Sequence, residues 1–422
     1  MNQAHRPIKA ALWLYFWLLL FEGVLRKWVL PQFSDAIFVI RDPLVIVIYL
    51  LAWNARVFPL RPATFALGIY ATISIVFAVY SNVPMAVTIF GLRTDFLHLP
   101  LVFIMGDVLD HDDVVRFGRW TLLLSIPILL LMWWQFSSPS GAWINAGASG
   151  ARGAQLRGAM GRIRPPGPFS FVSGVVAYFA LVGAFLTYGW MRRGSYARGL
   201  IWLATLATAL AIPISISRSL LFALLVVGAF GVAVVARDLR RVPAYFGPLI
   251  AVAAVFALIS DSVILQAYRT RWEESVGASQ SGFSTNVLGR MAGEFTEPFE
   301  VAVTAPMLGH GIGMGTVAGA RLMTGQYAFL LAESELTRIV LELGPILGFA
   351  FIGWRLWLSL LLVLRSWHWV RTSGDSLAWL LTGATFLAVL DGQWGPSTNL
   401  GFAVFGAGLA LAAANQPREA GA

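Results

Sequence analysis

Arginines that lie beside apolar segments are the residues of this sequence best suited to chemistry. A guanidinium binds a phosphate through paired hydrogen bonds, and an arginine at a membrane span is costly unless it has a partner or a task. Arg93 and Arg218 lie between apolar runs with almost no connecting loop, so they have little room to reach lipid headgroups. For Arg26, Lys27 and Arg269, a position along the headgroups is an equally good explanation. We expect an anion site that includes these arginines: Arg93, Arg164, Arg218, Arg271, Arg290 and Arg338.

Two of these arginines, Arg164 and Arg218, lie in short segments whose backbone conformation we expect to be restricted. Arg162 and Arg164 precede Pro165 and Pro166, which bar a helix there, and arginines on a stiffened segment suit phosphate contact. The turn Ser215-Ile216-Ser217-Arg218 joins two apolar runs with almost no slack. We therefore expect Arg218 to be held rigidly at the membrane surface.

A third constellation opens the fourth apolar run. Asp95 and His98 are spaced i, i+3, so they share a helix face, and Arg93 lies just before them. The spacing is compatible with a buried ion pair and equally with ligand binding. Neither interpretation is favoured by the sequence.

Several other kinds of site are not expected. The chain has no cysteine, which excludes disulfides and thiol chemistry, and its five histidines do not cluster, so no metal site is predicted. Gly309, Gly311, Gly313 and Gly315 alternate, but no Walker Lys-Ser/Thr follows them, so we interpret them as a flexible turn rather than a nucleotide site. The basic residues are scattered between apolar runs, which does not favour nucleic-acid binding.

The elements that position these residues are membrane spans. Mean hydropathy is +0.73, and charged residues make up 12% of the chain against about 25% in soluble domains. The sequence predicts an all-α, polytopic membrane protein forming one domain over residues 1–422, without a cleavable signal. We predict twelve spans: 10–30, 36–53, 63–80, 91–109, 119–136, 169–190, 198–216, 219–236, 244–263, 336–366, 376–391 and 398–414.

Basic loops give an orientation for these spans. With the N terminus in the cytoplasm, each of the seven cytoplasmic segments carries arginine or lysine, as the positive-inside rule requires. Both termini are then cytoplasmic. The loop between spans nine and ten, residues 264–335, falls on the other side and is the largest polar segment of the chain.

Several short motifs resemble the O-antigen ligase and O-antigen polymerase superfamily of bacterial envelope glycan assembly. These are the large loop between spans nine and ten, Arg218 in a Ser-Arg turn, and Arg290 followed by a run into Pro306–Gly313. Two more are Leu336–Gly344 and the segment Arg164–Phe169, which is similar to the family's Arg-x-x-Gly-x-Phe. The resemblance covers nearly the whole chain.

The resemblance implies a location and a reaction. The protein would lie in the bacterial inner membrane with its active face in the periplasm. It would transfer glycan from an undecaprenyl-diphosphate donor to an acceptor hydroxyl, without a cofactor or a metal. The arginines would bind the diphosphate.

The general base is where this sequence departs from the family pattern. Members commonly carry a His-Asn pair where this chain has Glu333-Ser334. A carboxylate can take the acceptor proton, so we expect Glu333 to be the base, with His310 and Glu335 as further candidates. Alternatively, Glu335 and Arg338 form an i, i+3 pair that merely starts a helix.

Other functions remain open at this point. The departure favours a polymerase over a ligase that uses lipid A core or another acceptor. A lipid-linked glycan flippase or transporter would also carry intramembrane charge, but along a path on both sides of the midplane. A non-enzymatic membrane scaffold would not need so many arginines on one side. Polysaccharide export and chain-length proteins are the partners that a polymerase implies.

Overall fold

The computed structural model describes residues 3–151, 153, 155–258, 260–277, 283–326 and 328–415. Over these residues the chain is all-helical and contains no strand, only an isolated bridge between Arg157 and Ile163. Fifteen helices organise the fold. They are α1 (Arg6–Val29), α2 (Pro31–Asn54), α3 (Pro62–Tyr80), α4 (Met85–Val108), α5 (His111–Ser137), α6 (Val172–Met191), α7 (Arg198–Ile214), α8 (Arg218–Val235), α9 (Leu239–Leu258), α10 (Val263–Gly277), α11 (Phe283–Ala302), α12 (Val317–Thr324), α13 (Glu335–Ser373), α14 (Leu377–Leu390) and α15 (Ser397–Ala413).

Nine helices of the described residues are long and apolar enough to cross a membrane: α1 to α6, α8, α9 and α13. Three shorter apolar helices, α7, α14 and α15, coincide with predicted spans seven, eleven and twelve. A multi-pass α-helical membrane architecture is therefore confirmed. The count of twelve spans and the side on which each loop lies stay predictions.

The centre of the bundle is built around α15, whose side chains are almost all buried. It packs against α14, α6 and the second half of α4. Small residues allow this close approach: a methyl group added to Gly408 would lie 2.6 Å from the sulfur of Met105 on α4. By contrast, α3 and α9 are mostly exposed on the outside of the bundle, as expected of helices that face lipid.

The segment 264–335, predicted as a loop, carries helices of its own. Its first helix, α10, packs against α7, and α11 packs against α13. The short helix α12 packs against the first half of α4. Within α13, Gly344 adopts φ +77° directly before Pro345, so the helix bends there, as the proline in the sequence predicts.

Candidate functional site

The turn before α8 fixes the position of Arg218. Helix α7 ends at Ile214 and α8 begins at Arg218, and between them Ile216 has a positive φ of 48°. The Ser217 amide donates to the Ser215 hydroxyl at 3.2 Å, which closes the turn. Arg218 itself is half-buried. This agrees with the expectation that its side chain leaves from a rigid backbone.

A hairpin from the loop after α5 lies on the same turn. Arg157 pairs with Ile163, and the Arg164 amide donates to the Leu156 carbonyl at 2.9 Å. Gly158, within this hairpin, lies directly against the Ile216 side chain, because a methyl group added there would be 3.0 Å from it. The hairpin therefore brings Arg164 to the region of Arg218.

The third part of this region is the face of α10. The Arg218 guanidinium lies 6.0 Å from the Trp272 ring, and Tyr268 is 6.2 Å from the same ring. Burial raises the pKa of the Tyr268 phenol, and the Arg218 charge opposes that rise, which also places the two side chains close together. Arg271, one residue before Trp272, is half-buried. We call this region the α10 site: it consists of the turn that carries Arg218, the hairpin that carries Arg164, and helix α10, which carries Arg271.

A cavity of about 550 Å³ opens beside the α10 site. One side is apolar and is formed by Phe256 and Ala257 at the end of α9. The other side is a face of α10 that carries Leu265, Tyr268, Arg269, Trp272 and Glu273. The cavity therefore has an apolar side next to an outward-facing helix and a polar side next to the arginines.

Arg93 lies in a different environment from the α10 site. It is 5% exposed, and its Nε donates to the Asp42 carboxylate at 2.7 Å. The other oxygen of Asp42 lies 2.9 Å from His98 Nε2, so one carboxylate bridges the cation and the imidazole. The Arg93 guanidinium also lies 4.9 Å from the Phe38 ring. Of the two interpretations left open by the sequence, the buried ion pair is present, but its acid comes from α2 rather than from Asp95.

Asp95 instead contributes to a buried ion cluster around Arg338. The Arg338 guanidinium donates to three carboxylates: Asp95 at 2.8 Å, Glu335 at 2.9 Å and Glu342 at 2.7 Å. Arg355 donates to the same Glu335 at 3.0 Å, and its guanidinium lies 3.7 Å from the ring of Trp394. The alternative explanation for Glu335 and Arg338, an i, i+3 pair at a helix start, is therefore confirmed.

The glycine-rich turn, Gly309–Gly315, is attached to this ion cluster. The amides of Gly313 and Gly315 donate to the Glu342 carboxylate at 3.0 and 2.7 Å. Gly309, with φ +70°, lies so close to the Glu342 carbonyl that a side chain would overlap it. The turn, which the sequence suggested was flexible, is thus packed against α13 and holds Glu342 by its backbone.

The three candidate bases occupy different environments. Glu335 is 4% exposed and fully engaged with Arg338 and Arg355, so no acceptor hydroxyl can reach it. Glu333 and His310 are both exposed, and neither is among the residues that line the cavity. The carboxylate that does line it is Glu273, which sequence reasoning passed over. Its i, i+4 spacing from Arg269, which puts the two on one helix face, was the signal that could have identified it.

Of the six predicted anion-binding arginines, three lie in the α10 site and two in separate buried ion pairs. The sixth, Arg290, is on α11, and its side chain lies outside the described residues. Within the described ranges, no group of three or more His, Asp or Glu side chains is arranged to hold a metal ion. In comparisons with known proteins, no family model, curated protein or solved structure matches this chain.

Proposed function

We propose that this protein is a polysaccharide polymerase-like glycosyltransferase that uses a polyprenyl-diphosphate-linked glycan and acts at the α10 site. The observation that carries the proposal is the two-sided cavity beside Arg218. Its apolar wall suits a lipid chain, and its other wall offers Tyr268 and Trp272 to a sugar and Arg269 to a diphosphate. A lipid-linked glycan likewise has an apolar lipid chain at one end and an anionic diphosphate with sugars at the other. The donor that fits best is undecaprenyl-diphosphate-linked oligosaccharide.

The position of the apolar wall supports entry from the lipid. Phe256 and Ala257 lie at the end of α9, a helix on the outside of the bundle with few buried residues. A polyprenyl chain could remain in the bilayer while its headgroup entered the cavity from the side. In the orientation predicted by the basic loops, this mouth faces the periplasm, and the protein lies in the inner membrane with both termini in the cytoplasm.

The protein has two roles in this reaction: it stabilises the leaving group and accepts a proton from the acceptor. The acceptor hydroxyl attacks the anomeric carbon of the donor sugar, the bond from that carbon to the diphosphate oxygen breaks, and the diphosphate leaves with the bonding electrons. The arginines would stabilise the charge that develops on the leaving oxygen. A carboxylate would take the hydroxyl proton.

The cavity points to Glu273 as that carboxylate. Glu273 lines the cavity together with Arg269, whereas Glu335 is enclosed by its ion pairs. Glu333 and His310 remain candidates because both are exposed and belong to the segments on which the family resemblance rests. Single substitutions of the three accessible groups separate them, as described in the Discussion.

Replacement of Arg218 by lysine tests the proposal. Arg218→Lys keeps the charge but removes the planar pair of donors, so polymer formation from a purified lipid-linked donor should fall by roughly a hundredfold. The matched control is Arg198→Lys, at the exposed start of α7, which should polymerise normally. Full activity of Arg218→Lys, with insertion and stability unchanged, would refute diphosphate binding by this guanidinium.

The same assay separates the alternative functions. A ligase would transfer glycan to lipid A core or another acceptor and would not lengthen the donor-linked chain. A flippase or transporter would move the labelled lipid-linked donor across a vesicle membrane and form no new glycosidic bond. Chain lengthening in purified protein, without export or chain-length partners, would establish the polymerase.

A further inference from the structure

The ammonium group of Lys27 is buried without a carboxylate partner among the described residues. Lys27 is 2% exposed, and its Nζ donates to the carbonyls of Gly167 at 2.6 Å and Phe169 at 2.7 Å. The same nitrogen lies 4.1 Å from the centre of the Trp28 ring. These contacts offer partial charges and a π face, but no formal negative charge. An anion that reached this nitrogen would supply the formal negative charge that a buried ammonium group lacks here.

A cavity of about 240 Å³ lies at this position. Its walls are formed by Lys27, Trp28, Trp143, Ala146 and Gly150. Trp143 is 56% exposed, so one wall of the cavity reaches the surface. The indole of Trp28 is fixed by a bond from its Nε1 to the Trp143 carbonyl at 3.1 Å, and the two rings are 6.5 Å apart at 74°.

This cavity shares no lining residue with the cavity beside the α10 site, and its chemistry is different. An ammonium group carries three N–H donors, and two of those on Lys27 are used by the carbonyls of Gly167 and Phe169. The remaining donor can bind one anionic oxygen. The other walls are two indoles and two small residues, Ala146 and Gly150.

We propose that this cavity binds an acidic monosaccharide unit, a hexuronic acid residue of the glycan. Its carboxylate would meet Lys27, and its ring C–H groups would pack against Trp28 and Trp143. The identification of the ligand as part of a glycan rests on the proposed function. A phosphate group is a poorer fit, because sites for phosphate usually offer several donors or a guanidinium, whereas this cavity offers one ammonium and flat apolar walls.

The sequence makes a direct test simple, because Lys9 and Lys27 are its only lysines. Protein labelled with ¹³Cε-lysine in phosphatidylcholine nanodiscs should give two lysine signals, and Lys9→Met assigns the remaining one to Lys27. Lys9 is the internal control, since it is paired with Asp110 at 3.0 Å, far along α1 from the cavity. Titration with methyl β-D-glucuronide should shift the Lys27 signal saturably and leave Lys9 unchanged. Methyl β-D-glucoside should shift neither.

A tryptophan variant tests the ring contact without disturbing the ammonium. In Trp143→Ala, the Trp28 indole keeps its partner, because that bond goes to the residue 143 backbone carbonyl. The affinity for glucuronide should fall by about tenfold, the effect of losing roughly 1.4 kcal/mol of contact. Trp202→Ala, a half-exposed tryptophan on α7, should not change it.

Several results would overturn the proposal. One is the absence of a saturable Lys27 shift with glucuronide, and another is an equal shift with the glucoside. A third is the same shift produced by inorganic phosphate, or by phosphatidylglycerol in the nanodisc, that glucuronide does not compete away. The third would identify an anion or lipid-headgroup site instead. A Lys27 shift in a protein that makes no polymer would leave this site standing and refute the proposed function. Polymer formation with no glucuronide shift at Lys27 would support the proposed function and refute the binding site at Lys27.

Discussion

Replacement of Arg338 by methionine should destabilise the fold rather than remove a substrate contact. Arg338 is 4% exposed, and three carboxylates lie 2.7 to 2.9 Å from its guanidinium nitrogens. Removing one member of a buried ion pair costs about 3–5 kcal/mol, because the remaining charge is left buried. Here Asp95 and Glu342 would lose the guanidinium that they share, whereas Glu335 would keep its ion pair with Arg355. We therefore expect a loss at the upper end of that range.

A matched surface ion pair provides the control. Arg321 lies 2.8 Å from Asp35, the same distance as Arg338 from Asp95, but both side chains of the Arg321 pair are substantially exposed. An exposed pair contributes about 0–1 kcal/mol, so Arg321→Met should change stability little. The measurement is the free energy of unfolding in mixed detergent, followed by helical circular dichroism, for both variants.

A double variant tests the cause of the effect. The double variant Arg338→Met, Glu342→Gln removes one of the buried carboxylate charges that has lost its cation, so it should be more stable than Arg338→Met alone. A coupling between the two substitutions of 0.5–3 kcal/mol is usual for residues in one network. If Arg338→Met keeps wild-type stability and loses only polymer formation, then Arg338 binds substrate and the argument from burial is wrong.

Two further predictions concern the turn and the base. Gly313→Ala should lower stability, because Gly313 has φ +91° and a side chain there would overlap the Val87 carbonyl. As the control, Gly353→Ala on α13 meets open space and should be neutral. Retained stability of Gly313→Ala in the same unfolding assay would contradict the packing of the turn. Glu273→Gln should abolish polymer formation, while Glu333→Gln and His310→Ala should retain it; normal polymerisation by Glu273→Gln would return the role of the base to the other two.

The sequence predicted the membrane architecture well because hydropathy is a local property. Apolar runs of sufficient length identify spans without any knowledge of their neighbours. The break at Pro345 and the short turn before Arg218 were also predictable, since both depend on adjacent residues. The same local reasoning placed Arg218 at the short turn between α7 and α8, whereas its rigid position at the membrane surface stays a prediction.

The partners of the charged residues were not predictable in this way. Arg338 and Asp95 are 243 residues apart, and Arg93 and Asp42 are 51 residues apart. A single sequence shows that arginines lie beside spans, but it does not show which acid from another helix reaches them. Arg93, Arg338 and Glu335 therefore looked like site residues, although the structure encloses each in ion pairs. Glu273, by contrast, was not selected from the sequence. It lines a cavity whose other side is formed by α9, and a single sequence does not show that the two helices meet.

The contact between Glu342 and the two glycine amides has a consequence for how this protein can change over generations. A side chain at residue 313 would overlap the Val87 carbonyl, and one at residue 315 would crowd both Arg338 and the Glu342 carboxylate. Loss of the carboxylate would in turn leave the buried amides of Gly313 and Gly315 without their acceptor. Each substitution is harmful by itself, and replacement of Glu342 would not relieve the overlap between a residue 313 side chain and Val87. In descendants of this chain, Gly313, Gly315 and Glu342 should therefore be inherited together, and collections of diverged sequences should show all three retained although residues 313 and 342 are far apart along the chain.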